Sequence, residues 1–266
     1  MYLKPKKKLG QNFLIDKNIQ RKIINACALK SEDTVLEIGS GRGELTEFIA
    51  DKVACVYAVE IDAALSAVLK NKFRGHTNVK IIKRDILELN LRRYFSKYKN
   101  NIKVMGNIPY YITTPIIEHL LAFRDKLGTI FISVQKEFAK RITATPGSKD
   151  YGAFSCFLQY YTHPQILFFI KNNSFRPAPR VDSCLLRLKI RRQPPVKIKN
   201  EGLFFKIIRT AFNQRRKVLK NSLGGIVSPQ RLNIFFKQYK INPNIRPEDL
   251  GLTDFANLTR ILKKEP

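Results

Sequence analysis

The chain has 266 residues, 44% of them hydrophobic and 18 of them Phe, which predicts a globular protein of one or two domains and excludes a disordered one. Its 49 Lys and Arg against 21 Asp and Glu give a net charge of +28, so a polyanionic partner is expected, with acidic membrane surfaces as the competing interpretation. No apolar run approaches the roughly 18 residues that a membrane-spanning helix needs.

The four cysteines, Cys27, Cys55, Cys156 and Cys184, are scattered along the chain and form no CxxC pair. This usage is typical of reduced structural thiols in a cytoplasmic protein. The three histidines lie far apart in the chain and show no metal-ligand spacing. The sequence therefore predicts no metal site.

Strands alternate with helices over the first half of the chain. The first two strands are predicted at Thr34–Ile38 and at residues 54–60, and the helical segments ELTEFIADK and AALSAVLKNKF follow them. The segment NVKIIKRD supplies a third strand, IKVMGN a fourth and residues 128–134 a fifth, with the helical TPIIEHLLAF before the fifth. This alternation predicts an α/β protein with a parallel sheet. Two later segments, HPQILFFI and SCLLRLKI, flank a turn-rich stretch, and we expect them to close the sheet as a hairpin with mixed pairing.

The character of the chain changes after the Pro pair in IRRQPPVKIKN, which is predicted to be a linker. From Leu203 the apolar residues recur at helical spacing. Residues 191–266 hold 17 Lys and Arg against 5 Asp and Glu, a net charge of +12, whereas the longer segment 1–190 carries +16. We interpret the tail as a helical appendage that adds electrostatic attraction for a polyanionic partner. A solvated helix face alone does not explain the excess of positive over negative charges. The cations expected to provide this attraction are Arg215, Arg216, Lys217 and Lys220.

A glycine-rich turn follows the first strand. The sequence EIGSGRG places Gly39, Gly41 and Gly43 where the backbone can pass close to a ligand and turn into the next helix. The spacing differs from the dinucleotide fingerprint G-x-G-x-x-G because Glu44 stands at the sixth position, so a pyrophosphate cradle is disfavoured. A plain strand–helix connection is the competing interpretation.

Polar side chains stand at the ends of the next strands. Glu60 ends the second strand, where an acid can accept hydrogen bonds from both hydroxyls of a ribose, and Asp85 ends the third, where an adenine amino group can bind. Either acid alone is also typical of a loop or a helix cap. Glycines, Glu60, Asp85 and Asn107 at four successive strand ends are predicted to meet at the edge where such sheets bind ligands. An adenosine ligand without a phosphate cradle points to S-adenosylmethionine.

The segment NIPY, residues 107–110, follows the fourth strand. The side-chain oxygen of Asn107 and the carbonyl of Ile108 can accept the two N–H groups of an adenine amino group and so favour a tetrahedral, nucleophilic nitrogen. Pro109 holds the carbonyl in place, and Tyr110 offers a face on which a base can stack. These residue types predict methyl transfer to an adenine nitrogen; a turn with a buried phenol is the alternative.

These motifs occur together with others along the chain: GQNFL, EIGSGRGELT, VEID, RDIL, GNIPYYITTPI, FRPAPRVDS and FNQRRKVLKNSL. In this combination the chain resembles the small-subunit rRNA adenine N6-dimethyltransferases, the KsgA/RsmA family, from Lys8 to the tail RPEDLGLTDFANL. The resemblance implies a class I methyltransferase fold, with a seven-stranded Rossmann-like sheet and a small all-helical C-terminal domain. It also implies dimethylation of two adjacent adenosines in a hairpin loop near the 3′ end of 16S rRNA.

The resemblance assigns residues and partners as well. Asn12 and Leu14 would close over the cofactor, and Phe175 would be a second stacking surface opposite Tyr110. The cofactor-binding residues implied are Asn12, Leu14, Gly39, Gly41, Glu60, Ile61, Asp85, Ile86 and Asn107. We expect an S-adenosylmethionine-dependent methyltransferase domain at 1–192 and a basic helical domain at 193–266. The expected protein is a cytoplasmic monomer that needs no metal and acts on 16S rRNA in the immature small subunit.

Three alternatives stay open. A large-subunit rRNA adenine methyltransferase of the macrolide-resistance type shares NIPY, but RRKVLKNSL and the basic tail favour the small-subunit type. A DNA adenine methyltransferase would need a target-recognition domain, for which the chain has little room. A ribosome-assembly factor that works mainly by binding would use the same surface as the enzyme, so the sequence does not separate these two roles.

Overall fold

The computed structural model describes residues 5–98, 101–214 and 217–263. The chain divides into two compact units, the first built from residues up to Ala139 and from Gln165–Ile190, the second from Lys140–Pro164 and the residues from Arg191 on. In the ranges described, no helix is both long enough and apolar enough to cross a membrane.

The first unit contains the sheet. Its strands are β1 (Phe13–Leu14), β2 (Thr34–Ile38), β3 (Cys55–Glu60), β4 (Val79–Lys83), β5 (Ile102–Gly106), β6 (Leu127–Gln135), β7 (Thr162–Ile170), β8 (Phe175–Arg176) and β9 (Ser183–Ile190). The helices along this part of the chain are α1 (Lys17–Ala26), α2 (Glu44–Ala50), α3 (Ala63–Lys72), α4 (Leu91–Tyr94), α5 (Thr113–Ala122) and α6 (Lys136–Thr143), the last of which leads into the second unit.

Seven of these strands form one sheet in the order β4-β3-β2-β5-β6-β9-β7. The pairs from β4 to β6 are parallel, and β9 is antiparallel to β6. The predicted seven-stranded Rossmann-like sheet with mixed pairing at one end is therefore confirmed. The order reverses between β2 and β5, since the chain moves outward from β2 to β4 and then crosses back. Open sheets of this kind bind ligands beyond the carboxyl ends of the strands at such a reversal.

The centre of the sheet is buried on both faces. Every residue of β2 and of β3 is buried, as expected of parallel strands that helices cover on both sides. The side chains of Ile23 and Ile24 of α1 and of Ile49 of α2 pack into the core beside them. The candidate site lies at the carboxyl ends of these strands.

The second unit is helical. Its helices are α7 (Ala153–Tyr161), α8 (Glu201–Asn213), α9 (Leu219–Leu223), α10 (Pro229–Tyr239) and α11 (Leu252–Lys263). The ring of Tyr160 on α7 lies 5.4 Å from that of Phe204 and 5.3 Å from that of Phe205, both on α8. The hydroxyls of Tyr160 and Tyr161 donate to the carboxylate of Glu201 at 3.1 and 2.6 Å. Residues 140–164 thus pack with the helices, whereas the predicted boundary at 192/193 grouped them with the sheet.

Candidate active site

A cleft at the carboxyl ends of β2, β3, β4 and β5 brings most of the predicted site residues together. Its free space is about 890 Å³ with the open mouth included. The predicted residues in its wall are Asn12, Gly39, Gly41, Glu60, Ile61, Asp85, Ile86, Asn107, Ile108, Pro109 and Tyr110. Among the residues described, no three His, Cys, Asp or Glu side chains are grouped as metal ligands.

The turn after β2 needs glycine. Gly39, Gly41 and Gly43 have φ angles of 70°, 58° and 81°, in the left-handed region that side chains disfavour. This conformation turns the backbone N–H of Gly41 toward the carboxylate of Glu60, to whose Oε2 it donates at 2.9 Å. The backbone N–H of Asp62 donates to Oε1 of the same carboxylate at 2.8 Å.

These two hydrogen bonds hold the Glu60 carboxylate in place and leave it able to accept others. A carboxylate has about four acceptor sites, so Glu60 can accept hydrogen bonds beyond those from the backbone, such as those that the hydroxyls of a ribose donate. Burial raises the pKa of Glu60, against the lowering effect of hydrogen bonds from the backbone N–H groups of Asp62, Gly41 and Ile61. An ionised Glu60 in this buried position gains from further donors, because it has lost most of its water.

Asp85 both caps a short helix and lines the cleft. Its Oδ1 accepts a hydrogen bond from the N–H of Leu87 at 2.9 Å and so caps the short 3-10 helix Ile86–Glu88. The side chain is half-buried in the wall of the cleft. The cap occupies one oxygen, and the second oxygen is available to an amino group in the cleft.

The side chain of Asn107 is oriented by the N-terminal segment. Its Nδ2 donates to the backbone carbonyl of Asn12 at 2.8 Å, and since a carbonyl can only accept, the amide must turn its Oδ1 the other way. Among the described residues nothing donates to the carbonyl of Ile108, whereas that of Pro109 accepts from the N–H of Ile112 at 3.2 Å. Two acceptors are therefore available on this segment, and their role toward an amino group stays a prediction.

The hydroxyl of Tyr110 is anchored to the sheet by a hydrogen bond. Its hydroxyl is hydrogen-bonded to the hydroxyl of Ser183 at the start of β9, which is fully buried. Burial raises the pKa of the Tyr110 phenol, against the lowering effect of the Ser183 hydrogen bond. The neutral phenol is thus a fixed wall element, and the ring is half-buried in the lining of the cleft.

Leu14 and Phe175 are not in the wall of the cleft. They face each other in the short antiparallel pair of β1 and β8, and their side chains are 4% and 2% exposed in the core. In this conformation Phe175 has no open face for a base, so the stacking pair with Tyr110 is not formed. The roles of both residues stay predictions, and that of Phe175 requires its ring to leave the core.

The predicted RNA-binding cations lie in the second unit. Arg215 and Arg216 fall outside the described residues. Lys217 and Lys220 are exposed, the latter on α9. Their role stays a prediction.

The structure adds an N-terminal strap, residues 6–13, whose contacts the sequence motifs did not reveal. Nζ of Lys6 lies 2.8 Å from Oδ2 of Asp62, and the Gln11 amide donates to the same oxygen at 3.4 Å. Burial disfavours ionisation of Asp62, but the hydrogen bonds from Lys6 and the α3 amides outweigh it and lower its pKa. The ring of Phe13 lies 4.4 Å from the guanidinium of Arg42. The resemblance assigned Asn12 and Leu14 of this region to the cofactor, but it did not give the attachment to Asp62, which stands at the position that caps α3.

Gly10→Ala is expected to weaken S-adenosylmethionine binding by about 5- to 10-fold. Gly10 has φ +58°, and a Cβ there would lie 2.9 Å from Cε1 of Tyr111, a ring that is 65% exposed at the cleft. The strap would have to move away from Tyr111 in addition to accepting about 1 kcal/mol of backbone strain. Gly147→Ala is the control, because φ there is +85° but the space is open. Calorimetry that finds equal affinities in the two variants would contradict this role of the strap.

A buried acid joins β2 to α2, the two elements on either side of the glycine turn. Glu37 on β2 is buried, and its Oε2 accepts a hydrogen bond from the hydroxyl of Thr46 at 2.6 Å. Burial raises the pKa of Glu37 to about 7, against the lowering effect of this hydrogen bond. Since the folded-state pKa lies above the ordinary value of 4.5, the fold favours the protonated acid. Its contribution to stability is complete below about pH 4.5 and is lost as the pH rises to about 7.

Glu37→Gln is therefore expected to reduce the loss of stability between pH 5 and 8, by roughly 3 kcal/mol for a shift of this size. The glutamine can still accept from Thr46 but cannot ionise. Thermal unfolding across this pH range measures the effect, with the exposed Glu88→Gln as control. A constant difference between wild type and Glu37→Gln at every pH would show that Glu37 does not titrate in this range.

Comparison with known proteins gives the following matches. A family model described as ribosomal RNA adenine dimethylase matches residues 2–264. A protein named ribosomal RNA small subunit methyltransferase A from Caldanaerobacter subterraneus subsp. tengcongensis is 43% identical over 263 residues, which cover 98% of this chain and 98% of that protein. The protein of the same name from Moorella thermoacetica is 40% identical over 269 residues, covering 98% and 93%.

Two solved structures are similar over most of their length. A dimethyladenosine transferase from Plasmodium falciparum superposes with a TM-score of 0.76 at 24% identity, covering 92% of this chain and 95% of that one. The 23S rRNA methyltransferase ErmE superposes with a TM-score of 0.75 at 24% identity, covering 95% and 100%. At this identity the likeness shows the fold, and it is the predicted one.

Proposed function

The chain belongs to the ribosomal RNA adenine dimethylase family and is an S-adenosylmethionine-dependent rRNA adenine dimethyltransferase, and we propose that its substrate is the 16S rRNA of the small ribosomal subunit. The observation that supports this choice is the identity of about 40% to small-subunit methyltransferases over nearly the full length of both chains. The proposed targets are two adjacent adenosines in a hairpin loop near the 3′ end, in the immature subunit. The proposed enzyme is a cytoplasmic monomer.

The cleft residues fit S-adenosylmethionine, which when bound supplies an electrophilic methyl group on a sulfonium centre. We assign the ribose hydroxyls to Glu60, whose carboxylate is held by backbone N–H groups and can accept further hydrogen bonds. Asp85 would accept from the adenine amino group, and Ile61 and Ile86 would contact its ring. The backbone of Gly39 and Gly41 would lie along the methionine end. No side chain at these two positions restricts the approach of the ligand.

Catalysis by this chain rests on positioning and on acceptors. The Oδ1 of Asn107 and the carbonyl of Ile108 would accept hydrogen bonds from the N–H groups of the target amino nitrogen. These hydrogen bonds would strengthen as that nitrogen becomes tetrahedral. The bond from Asn107 to the Asn12 carbonyl orients the first acceptor in advance, and the ring of Pro109 restrains the backbone beside the second. The face of Tyr110 would hold the target ring.

The target adenines must leave their stack to enter the cleft, and this costs least in a loop. Affinity for the RNA would come mainly from phosphate contacts in the basic helical unit, with Lys217, Lys220, Arg215 and Arg216 as the predicted cations. A high net charge also speeds the encounter with RNA, so both affinity and association rate are expected to fall with salt.

Methyl transfer from labelled S-adenosylmethionine to purified 16S rRNA, purified 23S rRNA and immature small subunits tests the proposal. The expected result is incorporation into the small-subunit RNA, as dimethyladenosine at two neighbouring positions mapped by mass spectrometry. Incorporation into 23S rRNA alone would show the large-subunit alternative. RNA binding without any methyl transfer would leave only the assembly role.

A further inference from the structure

A second concave site lies within the helical unit, lined by α8 and by residues between Arg141 and Phe154. Four cations line it: Arg141 of α6, Lys149, and Lys206 and Arg209 of α8. Asp150 and Phe154 also belong to its lining, and we call this site the basic pocket. Its free space is about 1140 Å³ with the open mouth included.

The basic pocket concentrates positive charge. Its lining holds four cations against the single acid Asp150, and all five charged residues are exposed. Among the ion pairs of the described residues none involves Arg141, Lys206 or Arg209. Like charges gathered in a concave surface repel one another and focus a positive potential into it. Binding of an anionic partner would reduce this electrostatic repulsion.

The wall between the cations suits a nucleotide. The first turn of α7 lies there, and its N-cap is Gly152. Helix N-termini favour anions, which adds to the field of the cations. The half-buried ring of Phe154 lies in the same wall, stacked on Phe157 with centroids 5.8 Å apart. Cations beside an aromatic ring are the groups that bind phosphates and bases of single-stranded nucleic acid.

We propose that the basic pocket binds the sugar–phosphate backbone of an unpaired segment of the rRNA substrate, with a base against Phe154. The proposal rests on the proposed function for the identity of the RNA. A concave pocket admits a strand more readily than it admits a flat bilayer, which favours RNA over an acidic membrane as the partner. Residues 141–154 would thus contribute to RNA binding, although they lie outside the basic tail in which the sequence predicts it.

The test compares two double variants with the same loss of charge. Lys206→Gln with Arg209→Gln removes two cations of the pocket, whereas Lys237→Gln with Arg192→Gln removes two exposed cations elsewhere in the same unit. Binding of a fluorescent RNA with the 3′-terminal hairpin of 16S rRNA and its flanking strand is measured over a range of salt concentrations. The pocket variant is expected to lose about 0.7–0.9 in the salt slope per lost phosphate contact and at least 3-fold in affinity at low salt. The control is expected to keep its slope.

Asp150→Asn supplies a change of opposite sign. It removes the one acid of the lining and is expected to raise RNA affinity by about 2- to 3-fold, a gain that a misfolded protein would not show. Equal losses in the two double variants, or no gain with Asp150→Asn, would overturn the proposal. Binding to anionic phosphatidylserine vesicles that depends on the pocket, with RNA binding unaffected, would identify a membrane partner and also overturn it. Methylation of 23S in place of 16S rRNA would refute the proposed substrate but not the pocket, which is tested by binding alone.

Discussion

Asn107→Ala is expected to lower the rate of methyl transfer by about 10²-fold or more at saturating S-adenosylmethionine. The variant removes an acceptor whose contact with the amino nitrogen strengthens as that nitrogen becomes tetrahedral. It also removes the bond from Nδ2 to the Asn12 carbonyl, so the N-terminal strap loses one of its attachments to the cleft. RNA affinity should barely change, because it comes mainly from phosphate contacts elsewhere.

Single-turnover rates on immature small subunits measure this effect, and saturating cofactor is needed because Asn107 also lines the cofactor cleft. Asn18→Ala is the matched control, since it deletes an exposed amide on α1 in the same unit. A rate for Asn107→Ala within a few-fold of this control would leave the acceptor mechanism without support.

The strands at the centre of the sheet could be predicted because their signal is local. The mostly apolar sequence of β2, TVLEI, and the alternation of strands with helices follow from burial on both faces. The membership of residues 140–164 in the helical unit could not be predicted in this way. It depends on aromatic contacts such as that of Tyr160 with Phe204, which are separated by more than forty positions and have no signal in either segment.

The site follows the same division. Parallel strands end at one edge, so Gly39, Glu60, Asp85 and Asn107 could be expected to meet once the strands were placed. Phe175 was expected at the cleft only because of the resemblance, since spacing does not give the direction of its side chain, and the structure buries it beside Leu14.

The attachment of the strap at Asp62 was not predicted, because it requires two segments about fifty residues apart. Asp62 follows directly after Glu60 and Ile61, so the strap is attached beside the proposed ribose-binding position. A cofactor bound at Glu60 would therefore be expected to stabilise the strap as well. Through the strap, which contacts the proposed acceptor Asn107 at Asn12, cofactor binding would also help to position Asn107.

Glu60→Ala is expected to weaken S-adenosylmethionine binding by roughly 1.5–3 kcal/mol, about 10- to 150-fold, because it removes hydrogen bonds from ligand hydroxyls to a charged acceptor. It also leaves the N–H groups of Gly41 and Asp62 without their carboxylate acceptor, which loosens the glycine turn. Calorimetry on the purified protein measures the affinity, and thermal unfolding separates a local loss from a global one.

Glu60→Gln makes this prediction sharper. In most proteins an amide can replace a carboxylate as an acceptor, but here both carboxylate oxygens accept from backbone N–H groups. The NH₂ of a glutamine would have to face one of these donors, so the side chain must rotate away from the ribose position. We therefore expect Glu60→Gln to bind the cofactor nearly as poorly as Glu60→Ala, while Glu88→Ala, which removes an exposed carboxylate of the same unit, binds it as the wild type does. Wild-type affinity in Glu60→Gln would mean that the carboxylate is not the ribose acceptor, and that the two backbone bonds serve only to shape the turn.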